Sequence, residues 1–438
     1  MSPKAAPGGS ARRWELDAGA TVGRKAWAVL LGAALLLRAG WAVIVPVAPV
    51  SDGHAYDVLA RNLALHGVYG WEPGSPTAYW PVGTSFLYSL AYRAFGLEYR
   101  PIAALNVALG VAVVALTTAV ARRWVGTRAA VAAGWLVAVW PSLVEFTTVL
   151  ASELPFLVLV LAALAVWPRG ESRGGARAIA TGVLLAGASY VRPTALLLPA
   201  VLALLAVARE REPVASVALR TAVVVAVMAT CLAPWSIRNT RLFGRFVIVS
   251  TNAGTNTWMG NNPETTGAYM PEPELALNEA ERDAYLGAEA RRHILAAPGA
   301  FAARSAGKLV ALHARESIGV TWNGRGLAER FGPAAIAALK LAGNAFWWGA
   351  LASALAGAVG LALHRRWTAL LAPAVIWGYF AALHAVTVIQ DRYHFPSIPF
   401  IAALAGVAIV EARRALTDRA AGRRALDPSA RVPGKATP

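Results

Sequence analysis

Six residues near the start of the chain, Ser51-Asp52-Gly53-His54-Ala55-Tyr56, place an acid, an imidazole and a phenol directly after a long apolar run. A carboxylate at the edge of hydrocarbon is costly unless it has a partner or a task. Beside low-dielectric lipid its affinity for a proton rises, which suits a general base. The plainer reading makes Asp52 the N-cap of an interfacial helix, where Asp is a preferred residue. These residues alone leave both readings open. Other polar groups stand at the ends of further apolar runs: Ser152-Glu153, Arg192-Pro193, Arg238-Asn239 and Arg392-Tyr393-His394. Glu153 opens a helix, a place that favours an anion for structural reasons. The arginines either snorkel to headgroups or hold a substrate phosphate through the bidentate guanidinium fork.

Signatures of soluble enzymes are missing. There is no phosphate-cradling P-loop, no Gly-x-Ser-x-Gly elbow and no His-Glu-x-x-His helix. Seven histidines are scattered, and only His54 and His66 come near each other in sequence. A divalent metal, if one is used, has to rest on carboxylates with His54; the sequence does not require it, and it implies no other cofactor. The single Cys231 excludes a disulfide framework and a cysteine metal cluster.

The elements that must position these groups are membrane helices. Of 438 residues 57% are hydrophobic and only 15% charged, where soluble domains average about 25% charged. Ten apolar runs read as spans, at 26–49, 102–121, 129–148, 154–168, 178–191, 194–208, 218–235, 341–363, 368–389 and 395–410. Only helices satisfy backbone polar groups in lipid, so the expected fold is an all-α polytopic bundle. With both termini cytoplasmic, the inner segments hold 23 of the 41 basic residues and only 8 of the 24 acidic ones. The net charge of +17 is therefore a topology signal, and nucleic acid is not its partner.

Residues 1–25 then form a cytoplasmic segment ahead of a retained first span. A transmembrane domain covers 26–411, and 412–438 form a basic tail expected to be disordered and cytoplasmic. Two outer loops, 50–101 and 236–340, are long enough to carry function. In the first, Asp52 to Leu65 reads as an amphipathic interfacial helix in which Asp57 and Arg61 stand four apart and can pair. A second helix follows from Pro81 to Phe95, and Trp71, Tyr79 and Trp80 suit the headgroup level. The second loop reads as a strand-like piece from Val247 to Asn262 and a helix over about 277–295. Arg38, in mid-span, calls for a partner inside the bundle, and Glu145 is the candidate.

Taken in order, several pieces form a pattern. They are Asp52-x-x-x-Tyr56-x-x-x-Ala60-x-Asn62-Leu63, Pro76-Thr77-Ala78-Tyr79-Trp80-Pro81-Val82-Gly83, and Leu90-x-x-Arg93-x-Phe95-Gly96. Then come Ser152-Glu153-x-Pro155-Phe156, Tyr190-Val191-Arg192-Pro193-Thr194, and Pro234-Trp235-x-x-Arg238-Asn239-x-x-x-Phe243-Gly244. Gly260-Asn261-Asn262-Pro263 and Arg392-Tyr393-His394-x-Pro396 complete the set. From about residue 25 to 411 the set resembles glycosyltransferase family 39, the protein O-mannosyltransferase and lipid A aminoarabinose transferase group of the glycosyltransferase-C superfamily.

The resemblance implies an inverting transfer of a sugar from a polyprenyl-phosphate donor to a lipid, glycan or protein acceptor. The reaction would take place on the outer face of a bacterial cytoplasmic membrane. Asp52 stands at the position of the family's catalytic acid residue and becomes the base. Arg192, Arg238 and Arg392, with His394 and Arg61 behind them, become the lipid-phosphate and donor contacts. Glu153, Tyr56, Asn239, Tyr393 and His54 become the groups that orient substrate. Two departures stand out: the protein mannosyltransferases carry an Asp-Glu pair where this chain has Asp52-Gly53, and relatives often carry Arg where Trp80 stands. The alternatives from other classes are a transporter or flippase of lipid-linked precursors, and a non-catalytic binder of them.

Overall fold

The computed structural model describes residues 21–168 and 174–426. The first 20 residues, 169–173 and the end of the basic tail lie outside it. Eighteen α-helices and one small hairpin follow one another. Helix α1 (Arg24–Ile44) leads to α2 (Asp52–His66), the hairpin β1 (Gly70–Glu72) and β2 (Ser75–Pro76), and α3 (Gly83–Phe95). Then come α4 (Tyr99–Val125), α5 (Thr127–Val139), α6 (Pro141–Glu145), α7 (Glu153–Val166), α8 (Gly174–Val191), α9 (Leu198–Ala208) and α10 (Val214–Phe243). The second loop holds α11 (Ala253–Met259), α12 (Glu279–Ala296), α13 (Pro298–Leu312), α14 (Ile318–Trp322) and α15 (Gly324–Phe331). Helices α16 (Pro333–Leu363), α17 (Trp367–Val386) and α18 (Ile398–Leu426) close the bundle.

Each of the ten apolar runs falls on a helix or a pair of helices. Among the described residues six helices are long and apolar enough to cross a bilayer, or seven if α5 and the segment Pro141–Thr148, bent by 55°, count as one span. Helices α7 and α9, of 14 and 11 residues, are shorter than the ~20 residues a full span needs. Length and apolarity thus support six or seven spans, against the ten expected. The expected end of the seventh run at 235 is also too early. Helix α10 continues through Pro234 to Phe243, where Gly244 closes it at φ 69° in the left-handed conformation that glycine adopts without strain.

The core is built by close approach. Helix α18 packs between α5 and α16, and small residues make that possible. A Cβ on Gly406 would fall 2.3 Å from Ala129 O, and one on Gly357 would fall 2.1 Å from Leu404 O. Helix α18 runs to Leu426, into the start of the basic tail.

Two further expectations change, and a third holds. Arg38 is fully buried and does not pair with Glu145. Its guanidinium donates to Ala138 O at 2.9 Å, Val137 O at 3.0 Å and Ala34 O at 3.3 Å. The cause is Pro141, which has no N–H to give Val137 O, so α5 ends with orphaned carbonyls. Arg38 caps them from the neighbouring helix. The stretch 247–262 is not a strand. Side chains of α10 take its carbonyls instead: Ser236 Oγ donates to Val247 O at 2.8 Å, Trp235 Nε1 to Val249 O at 2.8 Å, and Asn239 Nδ2 to Val249 O at 3.2 Å. The second half of that stretch turns into α11. The helix expected over 277–295 is α12, opened by a full capping box between Asn278 and Glu281.

Candidate active site

Helix α2 begins at Asp52, and the preceding Ser51 sits at φ 52°. A side chain in that conformation costs roughly 1–3 kcal/mol, and such strain is retained where the surroundings impose it. Asp52 is the first residue of the helix and Ser51 stands at the N-cap position, so the N-cap reading of Asp52 fails. Asp52 Oδ2 accepts from Arg392 Nη2 at 2.5 Å. Asp52 Oδ1 accepts no hydrogen bond from any described residue.

Arg392 comes from the 3-10 turn Asp391–Ser397, between α17 and α18. It is almost fully buried, and its fork reaches two acids: Asp52, and Glu153 Oε1 at 3.4 Å. Its Nε donates to Gln390 Oε1 at 2.8 Å, and its guanidinium lies 4.6 Å from the ring centroid of Trp322. Glu153, the first residue of α7, is wholly buried and also pairs with Arg192. Arg192 follows the last residue of α8, and its Nε donates to Ser152 Oγ at 2.7 Å. Two guanidinia and two carboxylates thus alternate in one cluster, with no net charge.

The cluster forms one wall of a cavity of about 310 Å³ that Asp52, Tyr56, Glu153's neighbour Ser152, Arg192, Arg392 and Tyr393 help to line. Burial pushes the Tyr56 phenol up to about 12, and the charge of Asp52 adds to the rise. It is therefore a neutral hydrogen-bonding group at ordinary pH. Further lining comes from the segment 252–269. Val388 N donates to Asn256 O at 2.9 Å, Ile389 N to Gly267 O at 2.9 Å, and Asn261 Nδ2 to Val386 O at 2.7 Å. Lys308, 3% exposed, locks the same seam by donating to Thr387 O at 2.9 Å and Gly260 O at 3.1 Å. Burial lowers its ammonium to about 8, and nearby Arg304 adds to the fall.

Of the eleven site residues expected from sequence, Asp52, Tyr56, Glu153, Arg192, Arg392 and Tyr393 meet here. The others do not. Arg61 pairs with Asp57 at 2.9 Å, which Tyr99 OH also bonds at 2.8 Å. Arg238 donates to Thr77 O and Asn239 Oδ1, both at 2.8 Å, so Arg238 and Asn239 join the two outer loops to each other. His394 turns away, its Nδ1 3.1 Å from Leu312 O and its ring 4.2 Å from that of Trp347. On a 3-10 turn each residue advances about 120°, so residue 394 cannot share a face with residue 392. His54 is exposed and lines no part of the cavity. Among the described residues no group of three or more His, Cys, Asp or Glu could hold a metal.

Sequence reasoning missed His384 and Gln390, both on the cavity wall. His384 is buried and stacked on Tyr393 at 4.5 Å. Its signal was present, since a histidine inside an apolar span is a functional candidate by default. The two departures from the family pattern also have a structural setting. A Cβ on Gly53 would come 3.1 Å from Leu150 O, so a second acid there needs the backbone to give. Trp80 lines the cavity, whose lining includes the cationic Arg192 and Arg392.

No family model matches the sequence, and no curated protein matches it. Solved structures do resemble the fold. The archaeal oligosaccharyltransferase AglB from Archaeoglobus fulgidus, in complex with an inhibitory peptide and a dolichol-phosphate, matches at a TM-score of 0.53 and 13% identity. That match covers 94% of this chain and 52% of AglB. ArnT from Cupriavidus metallidurans, bound to undecaprenyl phosphate, matches at 0.51 and 18% identity over 88% of this chain and 60% of ArnT. The chain therefore spans about half of the one and three fifths of the other. It has the helical membrane fold of these two structures.

Proposed function

We propose that the chain is an inverting glycosyltransferase of the family 39 type, which moves a sugar from a polyprenyl-phosphate donor to an acceptor at the outer membrane surface. The observation that carries the reading is the Asp52–Arg392–Glu153–Arg192 cluster on the wall of a cavity at the end of the bundle. Asp52 Oδ1, free of other hydrogen bonds, takes the proton of the acceptor hydroxyl as its oxygen attacks the anomeric carbon. The bond from that carbon to the phosphate oxygen breaks, and the electron pair leaves with the lipid phosphate. Single displacement inverts the anomeric centre.

Charge bookkeeping favours this use of the cluster. It is balanced at rest. When Asp52 gains the proton its negative charge disappears while the leaving phosphate gains one. The Arg392 fork, relieved of one carboxylate, is then matched to phosphate oxygens. Glu153 stays behind as the fixed counter-charge that keeps both guanidinia in place. Tyr56 and Tyr393 supply neutral contacts to the sugar.

A transporter of lipid-linked precursors would place its charged residues at the bilayer midplane, and Arg38, the one such residue in the first span, is consumed as a helix cap. The test is a panel of labelled polyprenyl-phosphate sugars offered to the purified protein in lipid. One donor is expected to be retained, and acceptor is expected to release its sugar with inverted configuration. Retained anomeric configuration, or movement of intact donor across the bilayer without cleavage, would overturn the reading.

A further inference from the structure

Asp52 borders a second cavity, of about 530 Å³, which shares Asp52, Tyr79, Trp80, Tyr269 and Gln390 with the first. What it adds is Trp71, Glu272 and Arg282, among others. Trp71, Tyr79, Trp80 and Tyr269 supply aromatic surface, and Glu272 and Arg282 supply polar groups. Trp71 belongs to β1 and meets Trp80 edge to face at 5.5 Å and 80°. Trp71 is 40% exposed and Tyr269 65% exposed. Glu272 is held in place by the Tyr79 hydroxyl on Oε1 and by Arg282, whose Nε lies 3.1 Å from Oε2.

That combination discriminates between acceptor classes. A lipid chain gains nothing from a carboxylate and a guanidinium, which it would desolvate. A peptide added as a strand needs a row of unpaired backbone groups at a sheet edge, and Asn62 Nδ2 already takes the β1 carbonyls Gly70 O and Trp71 O, both at 2.8 Å. A sugar ring satisfies both halves of the wall. Its C–H face, slightly positive, lies on the negative face of an aromatic ring, while its hydroxyls both donate to Glu272 and accept from Arg282.

We propose that this second cavity is the acceptor subsite and that it takes a saccharide, stacked on the Trp71–Trp80 corner and bonded by Glu272 and Arg282. The assignment rests on the transferase reading above and narrows its acceptor. Asp52 lies on the wall of both cavities, so a hydroxyl of a ring bound in the second has the base within the same wall. Trp71 and Glu272 line the second cavity and not the first, which separates their roles experimentally.

The test uses the full chain in lipid nanodiscs and an array of soluble hexose, pentose and amino-sugar oligosaccharides, with peptides of similar size as controls. Saturable binding of at least one oligosaccharide is expected, weakened about tenfold or more in Trp71→Ala. Glu272→Gln, a change of one atom, is expected to weaken the same ligand, while retention of polyprenyl-phosphate sugar stays as in the parent protein. Binding of no oligosaccharide, binding indifferent to both substitutions, or retention of peptides instead would overturn the proposal. Loss of donor retention in the unsubstituted protein would contradict the transferase reading, and the oligosaccharide arm would still be read separately.

Discussion

Replacing Arg392 by Gln keeps a polar side chain in the turn after α17 but removes the charge that two acids share. Glu153 is fully buried and Arg392 nearly so, while Asp52 keeps about a quarter of its side chain exposed. Breaking a buried pair from one side costs roughly 3–5 kcal/mol, chiefly because the partner charge is left uncompensated. Arg192 still covers Glu153, so most of the loss falls on Asp52, and its partial exposure puts the expected cost at the lower end, about 3 kcal/mol. Asp52→Asn alone should cost less, since an amide oxygen still accepts from Arg392. In the double variant the stranded carboxylate is gone, so the two losses should not add. Thermal or denaturant unfolding in one detergent gives the cycle, and a coupling of about 1–3 kcal/mol is expected. Additivity within about 0.5 kcal/mol would show that Arg392 and Asp52 do not interact and would refute the cluster as described.

Other outcomes follow from the same contacts. Arg38→Leu strands Val137 O and Ala138 O, which at about 1–3 kcal/mol for each buried unsatisfied group makes it more destabilising than Glu145→Gln; equal losses in unfolding experiments would favour the Arg38–Glu145 pair instead. The lowered proton affinity of Lys308 means that the unfolded chain holds more protons between about pH 8 and the ordinary lysine value of 10.5. Its contribution to folding therefore rises with pH through that window. The stability of the parent protein relative to Lys308→Met should increase from pH 7 to pH 10, and a flat difference would show that the ammonium is not buried against Gly260 and Thr387. Asn278→Ala, which removes the capping box of α12, should cost about 1 kcal/mol and loosen donor retention little, since α12 does not line the first cavity.

What the sequence disclosed depended on whether the signal was local. The apolar runs, α2 and the Asp57–Arg61 pair all follow from local pattern: each run falls on helix, though not every one is long enough to span, and α2 and the pair lie where expected. The outer-edge polar residues were equally legible as a group. Which of them share a cavity was not, because Arg192, Arg238 and Arg392 carry the same signal at the same membrane depth. The choice among them is made by rotation about a helix axis and by the path of two loops. A difference of two residues on a 3-10 turn sends Arg392 into the cluster and His394 against Trp347. Arg38 shows the same limit: sequence demands a partner for it, but the partners are backbone carbonyls freed by a proline a hundred residues away. The strand-like look of 247–262 was real β propensity, overridden by side chains of α10 that occupy the carbonyls a neighbouring strand would use.

The central claim is that Asp52 is the base, and its most direct measurement compares the parent protein with Asp52→Asn. Both are supplied with the donor that the panel selects and with saturating acceptor, and both are followed for donor retention and for release of polyprenyl phosphate. The account predicts unchanged retention and release slowed by about 10²–10⁴-fold, the usual worth of a positioned general base. Equal release from the two proteins would contradict it and move the chemistry away from Asp52.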